Sequence, residues 1–257
     1  MLIADWTEQR EPLVRSALLT AGSGGGGPIV NSAYKALTRY SQLCGVVVSE
    51  KKSPTPTRKK LAEYGTWYAL QYLTSRTFDF ISGNTNVSRL LPPEMGVRTW
   101  RSKQDRHDIS KWLKSLEIDV VVVCDFHHIL TRDFLAQFGY CINIHPSLLP
   151  SYRGPHPIIW GLLDRSPTFG ITLHLIDDGI DTGDIVCQTG IRRPLLPLSF
   201  IVEMRLARVL PELIKCTVEQ IRADDLHTRQ QEGGFYLPLP TLANRDARKQ
   251  RNRRESS

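Results

Sequence analysis

Three polar residues stand in the stretch from Cys141 to Asp184 where apolar packing would not put them: Asn143, His145 and Asp181. An amide, an imidazole and a carboxylate gathered at a strand end stand where the loops of an open α/β sheet usually carry function. Asn143 and His145 are two apart in CINIH, so an extended backbone projects them to the same face. Pro146, Pro150, Tyr152, Arg153 and Gly154 then end the strand and turn the chain. Much further along, DDGIDTGD reads as an Asp- and Gly-rich turn able to return a carboxylate to the same strand end.

The elements that must position these residues read as an open α/β sheet. Val14–Thr20 is a first strand leading into AGSGGGG, Pro28 suits the first turn of a helix to about Tyr40, and Leu43–Ser49 is a β-branched second strand. The glycine loop at 22–27 lacks both GxGxxG spacing and the GK[ST] of a P-loop, so a bland turn and an anion or substrate contact both stay open. KKSPTPTRKK, residues 51–60, reads as a loop because of its prolines. The next stretch has helical spacing and an aromatic stripe, Tyr64, Trp67, Tyr68 and Tyr72, expected to be core or a subunit contact.

Val97–Trp100 reads as a short strand, Asp108–Leu116 as an amphipathic helix, and Ile118–Cys124 as a buried parallel strand. A short helix capped by Thr131, strand 141–145, helix Pro157–Leu163 and strand Gly170–Ile176 follow. After the strand IVCQTGI comes a long helix, Ser199–Ala223, whose apolar members are Ile201, Met204, Leu206, Val209, Leu213 and Val218. Gly233–Tyr236 reads as a hairpin or extended segment, and the polar 244–257 as a disordered basic tail.

Composition narrows the function classes. Hydrophobic residues at 41% and charged residues at 23% describe an ordinary globular chain with no apolar run long enough for a bilayer. The first residues lack the pattern of a secretory signal, so the expected location is cytoplasmic. Five scattered cysteines form no CxxC pair, against a disulfide framework or zinc knuckle, and no metal is expected. The net +7 sits in residues 51–60 and 244–257, leaving the body slightly acidic and nucleic acid a disfavoured partner.

NIHPSLLPSYRG followed by GITLHLIDDGIDTGD resembles the formyltransferases that use 10-formyltetrahydrofolate, including the sugar N-formyltransferases, phosphoribosylglycinamide formyltransferase and methionyl-tRNA formyltransferase. The combined string, with 36 residues from His145 to Asp181, is far more specific than Asn-x-His alone. The resemblance implies a doubly wound, mostly parallel Rossmann-like sheet with a small C-terminal helix and hairpin. The catalytic domain would occupy 12–190, the helix and hairpin extension 191–243 and the tail 244–257.

It further implies Asn143, His145 and Asp181 as the catalytic set, the first two donating to the oxyanion and Asp181 orienting His145 and taking the amine proton. The folate pocket would be lined by Phe126, His128, Ile129 and Leu130, with Ile176, Asp177, Asp178 and Gly179 opposite. Asp125 stands there where the family often has glycine. Ser147, Tyr152, Arg153, Gly154, His156 and Trp160 would face the acceptor, with Trp160 or Tyr152 packed on a base or sugar.

The expected acceptor is a primary amine on a nucleotide-linked amino sugar, with phosphoribosylglycinamide and methionyl-tRNA as alternatives. About seventy residues after DTGDIV are short for the extra domain a tRNA enzyme would carry, and AGSGGGG departs from the SGxGSN loop expected for phosphoribosylglycinamide. A homodimer contact through the C-terminal segment is open. A non-catalytic folate-binding or interaction module is the alternative from another class.

Overall fold

The computed structural model describes residues 13–21, 27–50, 57–82 and 90–255. Residues 22–26 of the glycine loop and 51–56 of the basic proline segment lie outside them. The sheet has seven strands: β1 (Arg15–Ala21), β2 (Gln42–Ser49), β3 (Gly96–Trp100), β4 (Val120–Cys124), β5 (Tyr140–His145), β6 (Thr168–Leu175) and β7 (Ile185–Arg192). Their spatial order is β3-β2-β1-β4-β5-β6-β7. The first five are parallel and the last two join antiparallel. This is the mostly parallel α/β sheet that the strand–helix alternation predicts. The order reverses between β1 and β4, so the crevice beyond the carboxyl ends of β1, β4 and β5 is where such a fold binds ligands.

The helices cover both faces: α1 (Pro28–Tyr40), α2 (Thr57–Ser82), α3 (Asp105–Ser115), α4 (Arg132–Leu135), α5 (Pro157–Leu163), α6 (Ser199–Arg222) and α7 (Leu242–Glu255). Pro28 opens α1 as expected, since a residue without an N–H suits a first turn. One core cluster packs α1 and α6 on the sheet through Val30, Leu37, Val202 and Leu206. On the other face Ile109, Leu113 and Phe134 meet Leu19, Val121 and Val123.

Four expectations change. Helix α2 begins at Thr57, inside the segment read as a loop, and kinks at Gly65 (φ 77). Thr131 precedes α4 but makes no side-chain cap. In α6 the buried seam is Val202, Leu206, Leu210, Ile214 and Val218, not the expected set, of which only Leu206 and Val218 are buried. The i, i+4 row follows the helix's packing on α1, its most extensive partner among the described elements.

The fourth change is at the C-terminus, where residues 242–255 form α7 instead of a disordered tail. Its arginines hold it down. Arg248 pairs with Asp164 at 3.1 Å, both largely buried, and lies over the Phe235 ring at 4.4 Å. Arg245 donates to the Tyr64 carbonyl and lies over Trp67. Residues 229–238 bridge Ile185 at Arg229 and Arg153 at Tyr236, with a turn at Gly233 (φ 66) and Gly234 (φ 85) between the two bridges.

Candidate active site

The carboxyl end of β5 collects the expected set. Asn143 and His145 project from the same strand, and antiparallel pairing sets Asn143 opposite His174 of β6. Asp181 arrives from the turn after β6 in a left-handed backbone conformation (φ 55). Its Oδ1 accepts from Asn143 Nδ2 at 3.2 Å, and its Oδ2 accepts the Gly154 N–H at 2.8 Å and lies 3.6 Å from His145 Nδ1. One carboxylate thus ties together the strand end, the loop after it and the turn after β6.

The bonding pattern assigns the protons. His145 Nε2 lies 3.0 Å from the Tyr152 carbonyl, which can only accept, so Nε2 carries the hydrogen. In the neutral ring Nδ1 is then bare and faces Asp181. His174 Nδ1 donates to the Leu175 carbonyl at 2.7 Å, leaving its Nε2 to accept from Asn143 Nδ2 at 3.1 Å. Both hydrogens of the Asn143 amide are therefore engaged, one by His174 and one by Asp181. In this arrangement the His145 Nε2 hydrogen goes to the Tyr152 carbonyl, and its bare Nδ1 suits it to share a proton with Asp181.

Electrostatics agree. Burial pushes the His145 pKa below its ordinary value, although the Asp181 carboxylate and the Tyr152 carbonyl pull the other way. Burial would push Asp181 up, but His174, whose Nε2 donates to it when that ring is protonated, the charge of a protonated His145 and the Gly154 N–H more than offset it, holding the carboxyl below the usual range. At neutral pH the pair is a neutral imidazole beside a carboxylate.

The expected folate-side residues lie on two loops at this edge. Ile129 is 79% exposed and Ile180 51% exposed, while Leu130 is buried in the core. Arg132 on α4 reaches Asp178 at 2.7 Å, joining the loop after β4 to the loop after β6. Asp177 accepts from Gly179 N and Thr182 Oγ1 and closes its own turn, and the Ile176 N–H bonds to the Cys141 carbonyl. Phe126 and His128 pack on Trp100, with His128 Nε2 donating to its carbonyl. Asp125 adopts the left-handed conformation (φ 54) that glycine favours.

The expected acceptor-side residues divide differently. Trp160 is 1% exposed with its indole N–H on the Pro238 carbonyl, so its ring belongs to the core and cannot pack on a base or sugar. Ser147 is buried and donates to the Ser151 carbonyl. The Tyr152 ring packs on Phe235, and Arg153 donates twice to Gln231 Oε1. Gly154 contributes its backbone N–H. His156, at the N-terminus of α5, is exposed, with its ring edge-on to Tyr68 at 5.9 Å.

A comparison with known families decides the assignment: the formyl transferase profile matches residues 20–193. The chain belongs to the formyl transferase family. Among curated relatives, the methionyl-tRNA formyltransferase of Synechococcus sp. is 32% identical over 165 residues, 62% of this chain and 50% of that protein. This formyl transferase thus spans about half the length of the curated relatives it matches. Among solved structures, phosphoribosylglycinamide formyltransferase from Anaplasma phagocytophilum superposes with a TM-score of 0.58 at 20% identity, covering 88% of this chain and 99% of that one. A 4-N formyltransferase from Francisella tularensis gives 0.56 at 18% identity, covering 88% and 76%. At these identities the structures speak for the fold.

Two residues of this formyl transferase's site escaped the sequence reading. His174 had a signal, a histidine inside the apolar strand GITLHLI. Gln231 had none. Its Oε1 accepts from Arg153, while its Nε2 donates to the carbonyls of Asp181 (3.0 Å) and Gly183 (2.6 Å). Gln231 therefore pins the loop carrying Gly154 to the turn carrying Asp181. Replacing it by Ala should lower kcat by about tenfold through misplacement of the carboxylate. Initial-rate kinetics should show the KM for the formyl donor little changed.

Proposed function

We propose that this chain transfers a formyl group from 10-formyltetrahydrofolate to a primary amine, and that the acceptor is an amino sugar carried on a nucleotide. The observation that carries the chemistry is Asp181, ionised and bonded to Asn143 and Gly154, with the bare Nδ1 of His145 at 3.6 Å. The neutral amine attacks the formyl carbon, forming a C–N bond and placing charge on the formyl oxygen. Asp181 takes the proton of the resulting ammonium and shares it with His145 Nδ1. Neutralising Asp181 loosens its hold on the Asn143 amide, whose N–H then serves the oxyanion. Collapse breaks the bond to N10 of the donor, and the proton held by the pair passes to that nitrogen. The donor's ring fits between the two loops joined by Arg132 and Asp178, where Ile129 and Ile180 offer apolar surface beside the backbone of 128–130 and 176–179.

The amino-sugar reading is supported by exposed His156 beside Tyr68, which together offer a face for a ring next to the catalytic loop. A second reading, methionyl-tRNA as acceptor, is favoured by the names of the curated relatives. The deciding experiment supplies 10-formyltetrahydrofolate with a panel of amines and follows the formyl mass increment. Formylation of nucleotide-linked amino sugars alone supports the first reading. Labelling of methionyl-tRNA or phosphoribosylglycinamide alone rejects it, and no transfer to any amine rejects catalysis.

A further inference from the structure

A second cavity, of about 370 Å³, opens away from the catalytic set between the end of α5, the segment after β7, α2 and α7. Its lining comprises Arg165, Arg193 and Arg245 with Trp67, Leu162, Leu163 and Pro197, and includes no carboxylate. None of the groups bonded to Asp181 takes part in it. We infer that this cavity is a binding site for a phosphorylated small molecule with a flat ring, a nucleoside diphosphate by chemical class, the phosphates meeting the arginines and the ring resting on Trp67.

The described residues do not neutralise the charge in the cavity. Among the described residues no carboxylate forms an ion pair with any of the three arginines, and the adjacent Asp164 is engaged by Arg248 at 3.1 Å. Among the described residues Arg193 hydrogen-bonds through Nη1 alone, donating to the carbonyls of Gly161 (3.5 Å) and Ser166 (3.2 Å), and its guanidinium lies 5.9 Å from the Phe169 ring. Arg245 donates through Nη1 to Tyr64, and its guanidinium lies 5.8 Å from the Trp67 ring. Guanidinium groups match phosphate oxygens in geometry and charge.

The backbone at Arg165 points the same way. Ser166 N bonds to the Gly161 carbonyl across the end of α5, and Arg165 sits in the left-handed position (φ 54) that closes such a helix. Glycine serves that position best. An exposed arginine there, on the rim of a cavity that already holds two more, is not what helix termination alone would select. The volume lies in the range of small-molecule sites, and the aromatic and apolar wall gives a ring somewhere to lie.

The test is calorimetric titration of the full chain with ADP, pyrophosphate and adenosine at low salt, with no formyl donor present, so that it does not depend on the catalytic reading. ADP should bind, adenosine should not, and Arg165→Gln should weaken ADP by about tenfold, the worth of one charged hydrogen bond. Because Arg165 is exposed and its side chain makes no hydrogen bond or ion pair among the described residues, that variant should keep the wild-type melting temperature. The double variant Arg165→Gln/Arg245→Gln should lose about a hundredfold. Trp67→Phe should abolish the ADP-dependent change in tryptophan fluorescence. The assignment is overturned by any of three results: no wild-type binding up to about 10 mM ADP, equal affinity in the arginine variants, or adenosine binding as well as ADP. A short single-stranded RNA retained where ADP is not would also overturn it, in favour of a nucleic-acid surface.

Discussion

Asp181→Asn should lower kcat/KM for formyl transfer by about 10²- to 10⁴-fold, the range for loss of a positioned general base. The substitution keeps the shape of the side chain, so donor binding measured by equilibrium titration should persist. It removes the acceptor for the amine proton, and it also removes the charge that holds the Asn143 and Gly154 N–H groups. Wild-type turnover in Asp181→Asn would sink the proton-transfer role. The same pair sets the pH profile. Because burial depresses the His145 pKa, kcat/KM should stay flat through neutral pH and fall only as the pH drops through a value below 6.5, protonating the imidazole. The carboxylate opposes that depression, so the imidazole NMR titration in Asp181→Asn should move lower still.

Stability should follow the same sign. The folded pKa of His145 lies below its unfolded value near 6.5, and that of Asp181 below its unfolded value near 3.8. In both cases the unfolded chain takes up the proton first as pH falls. Each contribution is therefore present above its unfolded pKa and is lost as the pH falls through the depressed folded one. Acid melts should show stability declining from about pH 6.5 downward, and a second decline below about pH 4.

Gly154→Ala should damage both stability and activity. Gly154 has φ +99, a conformation that L side chains rarely adopt, and a Cβ there would meet the Leu237 carbonyl and lie 2.7 Å from Tyr236 Cε2. The strap 229–238 cannot retreat freely, because Leu237 N bonds to the Arg153 carbonyl and the Pro238 carbonyl receives the Trp160 indole. Strain and clash together should cost about 2–4 kcal/mol, or a fall in melting temperature of roughly 5–15 °C for a chain of this size. Activity should fall as well, since the Gly154 N–H would leave Asp181. A variant with unchanged melting temperature and rate would show that the strap does not press on this loop.

Much of this architecture was legible because it rests on local chemistry. β-Branched runs such as VVVVC at β4 are buried on both faces of a parallel sheet, and Pro28 and Pro157 open helices where their missing N–H costs nothing. The pairing of Asn143 with His145 followed from the two-residue repeat of a strand. Less legible was α6, which carries apolar residues on several sides; which row is buried depends on where α1 lies. The tail 244–257 looked solvated by composition, yet Arg248 finds Asp164 and Phe235, partners distant in the chain.

The amino-acid sequence by itself determined the strand and helix alternation, the family signature and the three side chains able to do chemistry, because these depend on residue type and short spacing. Only the tertiary structure decided which hydrogens those side chains have to give. His145 gives its Nε2 hydrogen to the Tyr152 carbonyl, Trp160 went to the core, and Gln231 came from the far end of the chain to brace Asp181. Hydrogen-bond direction and burial depend on what stands opposite, and in this fold the groups opposite come from segments many residues away.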